Sequence, residues 1–125
     1  MKLLLDSHAL LWAMAMPEKL SERARLSIAD PANAVFFSVA SVWELELKCS
    51  KGKLYLPEDW LQQTIHAGFV EWKIDSAQAV ASARLPWIHS DPFGRLLAAV
   101  AKLNDLTLVT RDRHLQGYGI AILEA

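Results

Sequence analysis

Four strand candidates, the apolar runs Leu3–Leu5, Ala34–Ser38 and Leu106–Val109 and the mixed segment Phe69–Ile74, most restrict the folds open to this chain. Each has the length of a strand, and a run that is apolar at successive positions suits a strand covered on both faces. Segments with helical recurrence lie between them. A helix opened after Asp6 runs to about Met16, where Pro17 stops it. Ser21 suits the N-cap of Glu22–Ala29. Val39–Lys51 recurs through Val39, Val42, Trp43, Leu45 and Leu47 and ends at Gly52. Leu56-Pro57-Glu58-Asp59 starts a further helix with Trp60, Leu61, Thr64 and Ile65 inward, and Asp75 caps Ser76–Arg84. Asp91-Pro92 opens a helix that is apolar nearly all round from Leu96 to Leu103 and should be deeply buried. Ile120–Leu123 reads as a short last strand. Strands alternating with helices over 125 residues predict the α/β class: one three-layer α/β/α domain, residues 1–125, on a mainly parallel central sheet of four to five strands.

Composition removes several function classes. Hydrophobic residues make up 53% and charged ones 22%, which is a folded chain and not a disordered one. A formal net charge of -1 excludes a nucleic-acid binder of the bulk-electrostatic kind. Cys49 is the only cysteine, so no intrachain disulfide forms and a reducing compartment is expected. Asp6 and His8 interrupt the N-terminal apolar stretch, which is too short and polar for a membrane span, and the expected location is cytoplasmic. The five tryptophans fall mostly on predicted inner faces and are expected in the core.

The chemistry rests on four acids. Asp6 ends the first strand, Glu44 lies about two turns into the helix after the second, Asp91 opens the apolar helix, and Asp112 follows the fourth strand. In a parallel sheet all strand carboxyl ends share one edge, where ligands bind, so these acids can meet although distant in sequence. Clustered carboxylates repel unless a cation holds them, and hard oxygen ligands select Mg²⁺ or Mn²⁺. Taken singly, Asp6, Asp91 and Asp112 are better explained as helix caps than as chemistry, and Glu44 with Lys48 reads as a surface pair worth about 0.3 to 0.5 kcal/mol. Their coincidence at one edge is what favours a metal site. His8, His89 and His114 lack metal-ligand spacing and suit surface or capping roles.

The segments LLLDSHALLW, SVASVWELELKCSKGKL, HSDPFGRLLAAVA and LVTRD resemble, in order and over nearly the whole chain, the motifs of the PIN-domain family, in particular VapC-type toxins of toxin–antitoxin pairs. The resemblance implies a Mg²⁺- or Mn²⁺-dependent ribonuclease, usually dimeric, neutralised by a small antitoxin whose tail occludes the site. By that match Asp6, Glu44 and Asp112 correspond to metal-site acids and Thr110 to a hydroxyl beside them. Relatives commonly read DPFDRLL, and Gly94 stands here where the family has its usual third acid. Asp91, three residues earlier, is the candidate substitute, although a capping aspartate is already engaged by backbone amides.

The expected scheme is hydrolysis of RNA by metal-activated water, with the catalytic and metal-holding roles assigned to Asp6, Glu44, Asp91 and Asp112. Arg95, Arg111, Arg113, Lys48 and His114 are expected near the phosphates, beside Thr110. The alternative is an impaired module that binds RNA or antitoxin without cutting. A phosphoacceptor receiver domain of similar length needs an acid pair after strand one and a lysine after the last strand; Ser7 beside Asp6 and the absence of lysine after Lys102 rank it low.

Overall fold

Strand β1, Lys2–Leu5, is the middle of the sheet, and its three leucines have no exposed surface. The computed structural model describes all of residues 1–125. Successive side chains of a strand point to opposite faces. Leu3 and Leu5 accordingly pack into one apolar layer with Leu10, Phe37, Leu45 and Trp60, and Leu4 into the other with Leu97, Val100, Leu108 and Tyr118. The first layer is covered by α1 (Ser7–Ala15), α2 (Glu22–Ala29), α3 (Val39–Ser50) and α4 (Trp60–His66), and the second by α5 (Ser76–Ala83) and α6 (Pro92–Asn104). This is the expected three-layer α/β/α arrangement.

Strands β2 (Ala34–Ser38), β3 (Val70–Trp72), β4 (Thr107–Thr110) and β5 (Ile122–Glu124) complete a sheet of order β3-β2-β1-β4-β5 in which every pair is parallel. The chain builds outward from β1 through β2 to β3, then crosses to the other side for β4 and β5. The reversal falls between β1 and β4, and a crevice opens outside the carboxyl ends of strands at such a switch point.

Helix starts follow the caps read from the sequence, with Ser38 a further one in the structure. Asp6, Ser21, Ser38, Asp75 and Asp91 each accept a backbone N–H of the first turn they precede. Gly52 and Gly68 lie after α3 and α4 with φ of 70° and 99°, the left-handed region that stops a helix without a Cβ penalty. The structure trims other boundaries: α4 begins at Trp60 rather than around Leu56, β3 is confined to Val70–Trp72, and the last strand starts at Ile122.

Several predicted inner faces are corrected. Of the five tryptophans only Trp60 is buried, while Trp43 and Trp87 are 61% and 77% exposed and Trp12 and Trp72 are intermediate. Val39, Ile65 and Leu103 also face outward. Apolar identity set those assignments, but a short helix covered on one side buries only the stripe that meets the sheet: Ala40, Ser41 and Leu45 in α3. No helix is long and apolar enough to cross a membrane.

Candidate active site

Asp6, Glu44, Asp91 and Asp112 all line one cavity of about 340 Å³. It lies at the switch point, reached by β1 through Asp6, by β4 through Thr110 and Asp112, by α3 through Glu44 and by the start of α6 through Asp91 and Gly94.

Each carboxylate is already oriented by this chain. Asp6 accepts from the Ala9 N–H at 2.8 Å through Oδ1 and from the Thr110 hydroxyl at 2.6 Å through Oδ2. Burial pushes its carboxyl above the usual aspartate value, and repulsion from Glu44 adds to this, against the opposing effect of its hydrogen bonds and of His8. Glu44 accepts from the Ser7 hydroxyl through Oε1 and faces Lys48 Nζ at 3.6 Å through Oε2. Asp91 accepts from the Phe93 and Gly94 N–H groups at 3.2 and 3.3 Å.

Asp112 is held by two histidines. His89 Nε2 hydrogen-bonds Oδ2, while His114 meets Oδ1 through its backbone N–H at 3.0 Å and Nδ1 at 3.2 Å. The Asp91 N–H donates to His89 Nδ1 at 2.9 Å, which makes Nδ1 the acceptor and leaves the proton on Nε2, pointing at Asp112. His89 thus ties together the acids on two elements. Partial burial pushes the Asp112 carboxyl up, but the hydrogen bonds from His89 and His114 outweigh it and hold it below the usual value.

The expected phosphate contacts separate. Arg111 lines the cavity: its Nε donates to the Ala125 carbonyl at 3.0 Å, its Nη2 donates to the Lys19 carbonyl, and Nη1 is left without a protein partner. Its guanidinium also lies 4.3 Å over the Trp12 ring. Thr110 is buried and spans Asp6 and the Asp112 N–H, so it fixes two acids. Lys48 is paired with Glu44, and Arg113 with Glu124 at 3.2 Å; neither lines the cavity. His114 is largely exposed beside Asp112. Arg95 is corrected: it is 3% exposed, and its guanidinium donates to carbonyls at the end of α5 and in the following loop, out of reach of any substrate. Sequence reasoning missed Ser7 and His89 as partners of the acids. Adjacency to Asp6 could have flagged Ser7, whereas nothing local flags a histidine 23 residues from its aspartate.

The acids offer only carboxylate oxygens, the ligand chemistry of a hard divalent ion. No three His, Cys, Asp or Glu side chains converge as a ready-made cage, because Asp112 is turned to its histidines and Asp91 to backbone N–H groups. The set therefore fits an ion held by one or two carboxylates and otherwise hydrated, as Mg²⁺ commonly is. Gly94 lines the same cavity. A Cβ there would meet Asp91 Oδ2 at 3.3 Å and Leu115 at 3.7 Å, so an added side chain starts against the capping carboxylate.

Residues 3–120 match the PIN domain. The chain is 31% identical over 118 residues to Ribonuclease VapC22 of Mycobacterium tuberculosis (strain ATCC 25618 / H37Rv), covering 92% of this chain and 90% of that protein. Its fold is similar to that of VapBC2 from Rickettsia felis bound to a DNA fragment from their promoter, with a TM-score of 0.71, 17% identity, and 99% and 98% of the two chains covered. It is similar also to FitAcB from Neisseria gonorrhoeae, with a TM-score of 0.67, 21% identity, and 98% and 96% covered.

Proposed function

The chain belongs to the PIN-domain family, and from that premise we propose that it is the ribonuclease of a VapC-type toxin–antitoxin pair, dependent on Mg²⁺ or Mn²⁺. The observation that carries the reading is the meeting of Asp6, Glu44, Asp91 and Asp112, from four separate elements, around one cavity at the switch point. Asp6 and Glu44 would hold the ion, with Asp91 and Asp112 reaching it through water. When bound, such an ion supplies charge compensation for a phosphodiester and makes water more acidic.

The chain's own residues supply the rest. Thr110 and the Ala9 N–H keep Asp6 aimed, Ser7 keeps Glu44 aimed, and neither pair has to reorganise when substrate enters. The unpartnered Nη1 of Arg111 would take a phosphate oxygen, whereas Lys48 and Arg113 are engaged by Glu44 and Glu124. Similarity to the VapBC and FitAB proteins supports a small antitoxin as the regulating partner. A homodimer and a cytoplasmic location go with the same reading, as does a single domain over 1–125. RNA cleavage should vanish in EDTA and return with Mg²⁺ or Mn²⁺; cleavage that persists in EDTA defeats the metal scheme.

Gly94 favours a second reading, an impaired copy that binds RNA or antitoxin without cutting. One substitution separates the two. Gly94→Asp should tighten Mg²⁺ binding at least about tenfold, since losing even an outer partner of a metal ligand commonly costs ten- to a hundredfold. The readout is the rise in melting temperature with added Mg²⁺, which tracks affinity by mass action. Cleavage only by the variant marks the present chain as impaired; equal affinity and cleavage in both assign the missing acid's work to Asp91.

A further inference from the structure

Trp87 is 77% exposed, yet its ring has one fixed neighbour. Its ring lies 3.8 Å from the guanidinium carbon of Arg95. That guanidinium is itself immobilised: Nη1 donates to the Pro86 carbonyl at 2.9 Å and the Tyr118 hydroxyl at 3.2 Å, and Nη2 to the Ser82 and Leu85 carbonyls at 3.0 and 3.1 Å. The next residue, Ile88, packs against Gly117, where a Cβ would meet its Cδ1 at 3.1 Å. One face of the indole is therefore pinned to a buried cation while the other is open to solvent.

Position gives this surface a use. Trp87 lies between α5 and α6, two residues before His89, which holds Asp112, and four before Asp91. The Trp87 Cα therefore stands no more than about 7 Å from that of His89, in the turn that leads into His89 and Asp91, and Trp87 does not itself line the cavity. The cavity is walled by carboxylates and suits a metal-borne phosphate, so the bases attached to that backbone must lie on its surroundings. Single-stranded RNA is recognised by stacking splayed bases on aromatic faces.

We propose that the open face of Trp87 stacks a nucleobase of single-stranded RNA next to the phosphate held at the acids. This rests on the nuclease reading above. Trp87→Leu keeps an apolar cover over Arg95 but removes the π face, and Trp87→Phe keeps a smaller one. The test measures binding of labelled oligoadenylate and oligouridylate in EDTA and their cleavage in Mg²⁺, with the melting midpoint and molecular mass of each variant as controls. Trp87→Leu should weaken binding and raise KM by about 5- to 150-fold, the range of one base–aromatic stack, with kcat little changed. The preference of the wild type for oligoadenylate, the stronger stacker, should collapse, and Trp87→Phe should recover most of both. Cleavage by the wild type with an unchanged KM in Trp87→Leu overturns the stacking role and leaves the nuclease reading intact. A wild type that neither binds nor cleaves RNA removes both. A loss accompanied by a lower melting midpoint makes Trp87 a cover for Arg95, a change of mass makes it a contact between copies, and either result overturns the proposal.

Discussion

Changing Asp6 to asparagine should lower RNA cleavage by at least about 10²-fold, the scale of removing one preorganised active-site group, and at the same time raise the melting temperature measured in EDTA. Asparagine is an equally good N-cap, so the bond from the Ala9 N–H survives, and its amide can be turned to suit the Thr110 hydroxyl. What disappears is a negative charge whose burial, with Glu44 nearby, already pushes the Asp6 carboxyl above its usual value. A raised carboxyl means that the folded chain takes up the proton more readily than the unfolded one. This group therefore costs stability as pH rises through its raised value, and the cost is absent below the ordinary aspartate value. The advantage of Asp6→Asn should accordingly be full near about pH 7 and shrink toward zero on acidification. Asp112 carries the opposite sign. Its lowered carboxyl contributes stability above the ordinary value that is lost as pH falls through the lowered one, in wild type and variant alike. Added Mg²⁺ should stabilise the wild type more than the variant. An Asp6→Asn protein that melts lower than wild type in EDTA at neutral pH would show that the charge is on balance welcome where it sits, and the argument for a cation to offset it would lose its energetic basis.

The fold was readable from the sequence wherever the signal is local. Leu3–Leu5 and Ala34–Ser38 are short, apolar and β-rich, and Asp6, Asp75 and Asp91 cap the turns they precede because a cap is a contact between residues two or three apart. The sheet edge followed from strand alternation, which is why the four acids could be assigned to one place before any distance was known. What local pattern does not carry is which polar groups meet across the fold. Ser7 reaches Glu44 over 37 residues and His89 reaches Asp112 over 23, and neither pairing leaves a periodicity. Exposure of Trp43 and Trp87 was missed for a related reason: an aromatic side chain reads as core unless something in the sequence says that no layer covers it, and helix coverage is set by elements far along the chain.

Arg95 shows the same limit with the largest energetic consequence. A basic residue four positions after Asp91 reads as a phosphate contact, but it lies on the inner face of α6, where its guanidinium closes the open carbonyls at the end of α5 and the loop beyond. The last carbonyls of a helix have no partner within it, and here the loop that should expose them to water is packed over by Trp87 and Tyr118. Arg95→Met keeps the apolar stem and removes every donor. Buried carbonyls then lose a charged partner together, and the expected loss is about 3 to 5 kcal/mol, read as a fall in melting temperature of roughly 10 to 20 °C. Arg95→Lys should recover little of this, because one ammonium has three donors and no planar fork with which to span acceptors on three sides. RNA cleavage assayed well below the variant's melting temperature should persist, since the guanidinium reaches no carboxylate of the cavity and meets the site only at the His89 carbonyl, whose ring stays held by the Asp91 N–H and Asp112. A variant that melts within a few degrees of wild type but no longer binds RNA would restore the phosphate role, and would require the α5–α6 loop to open so that this guanidinium reaches the surface.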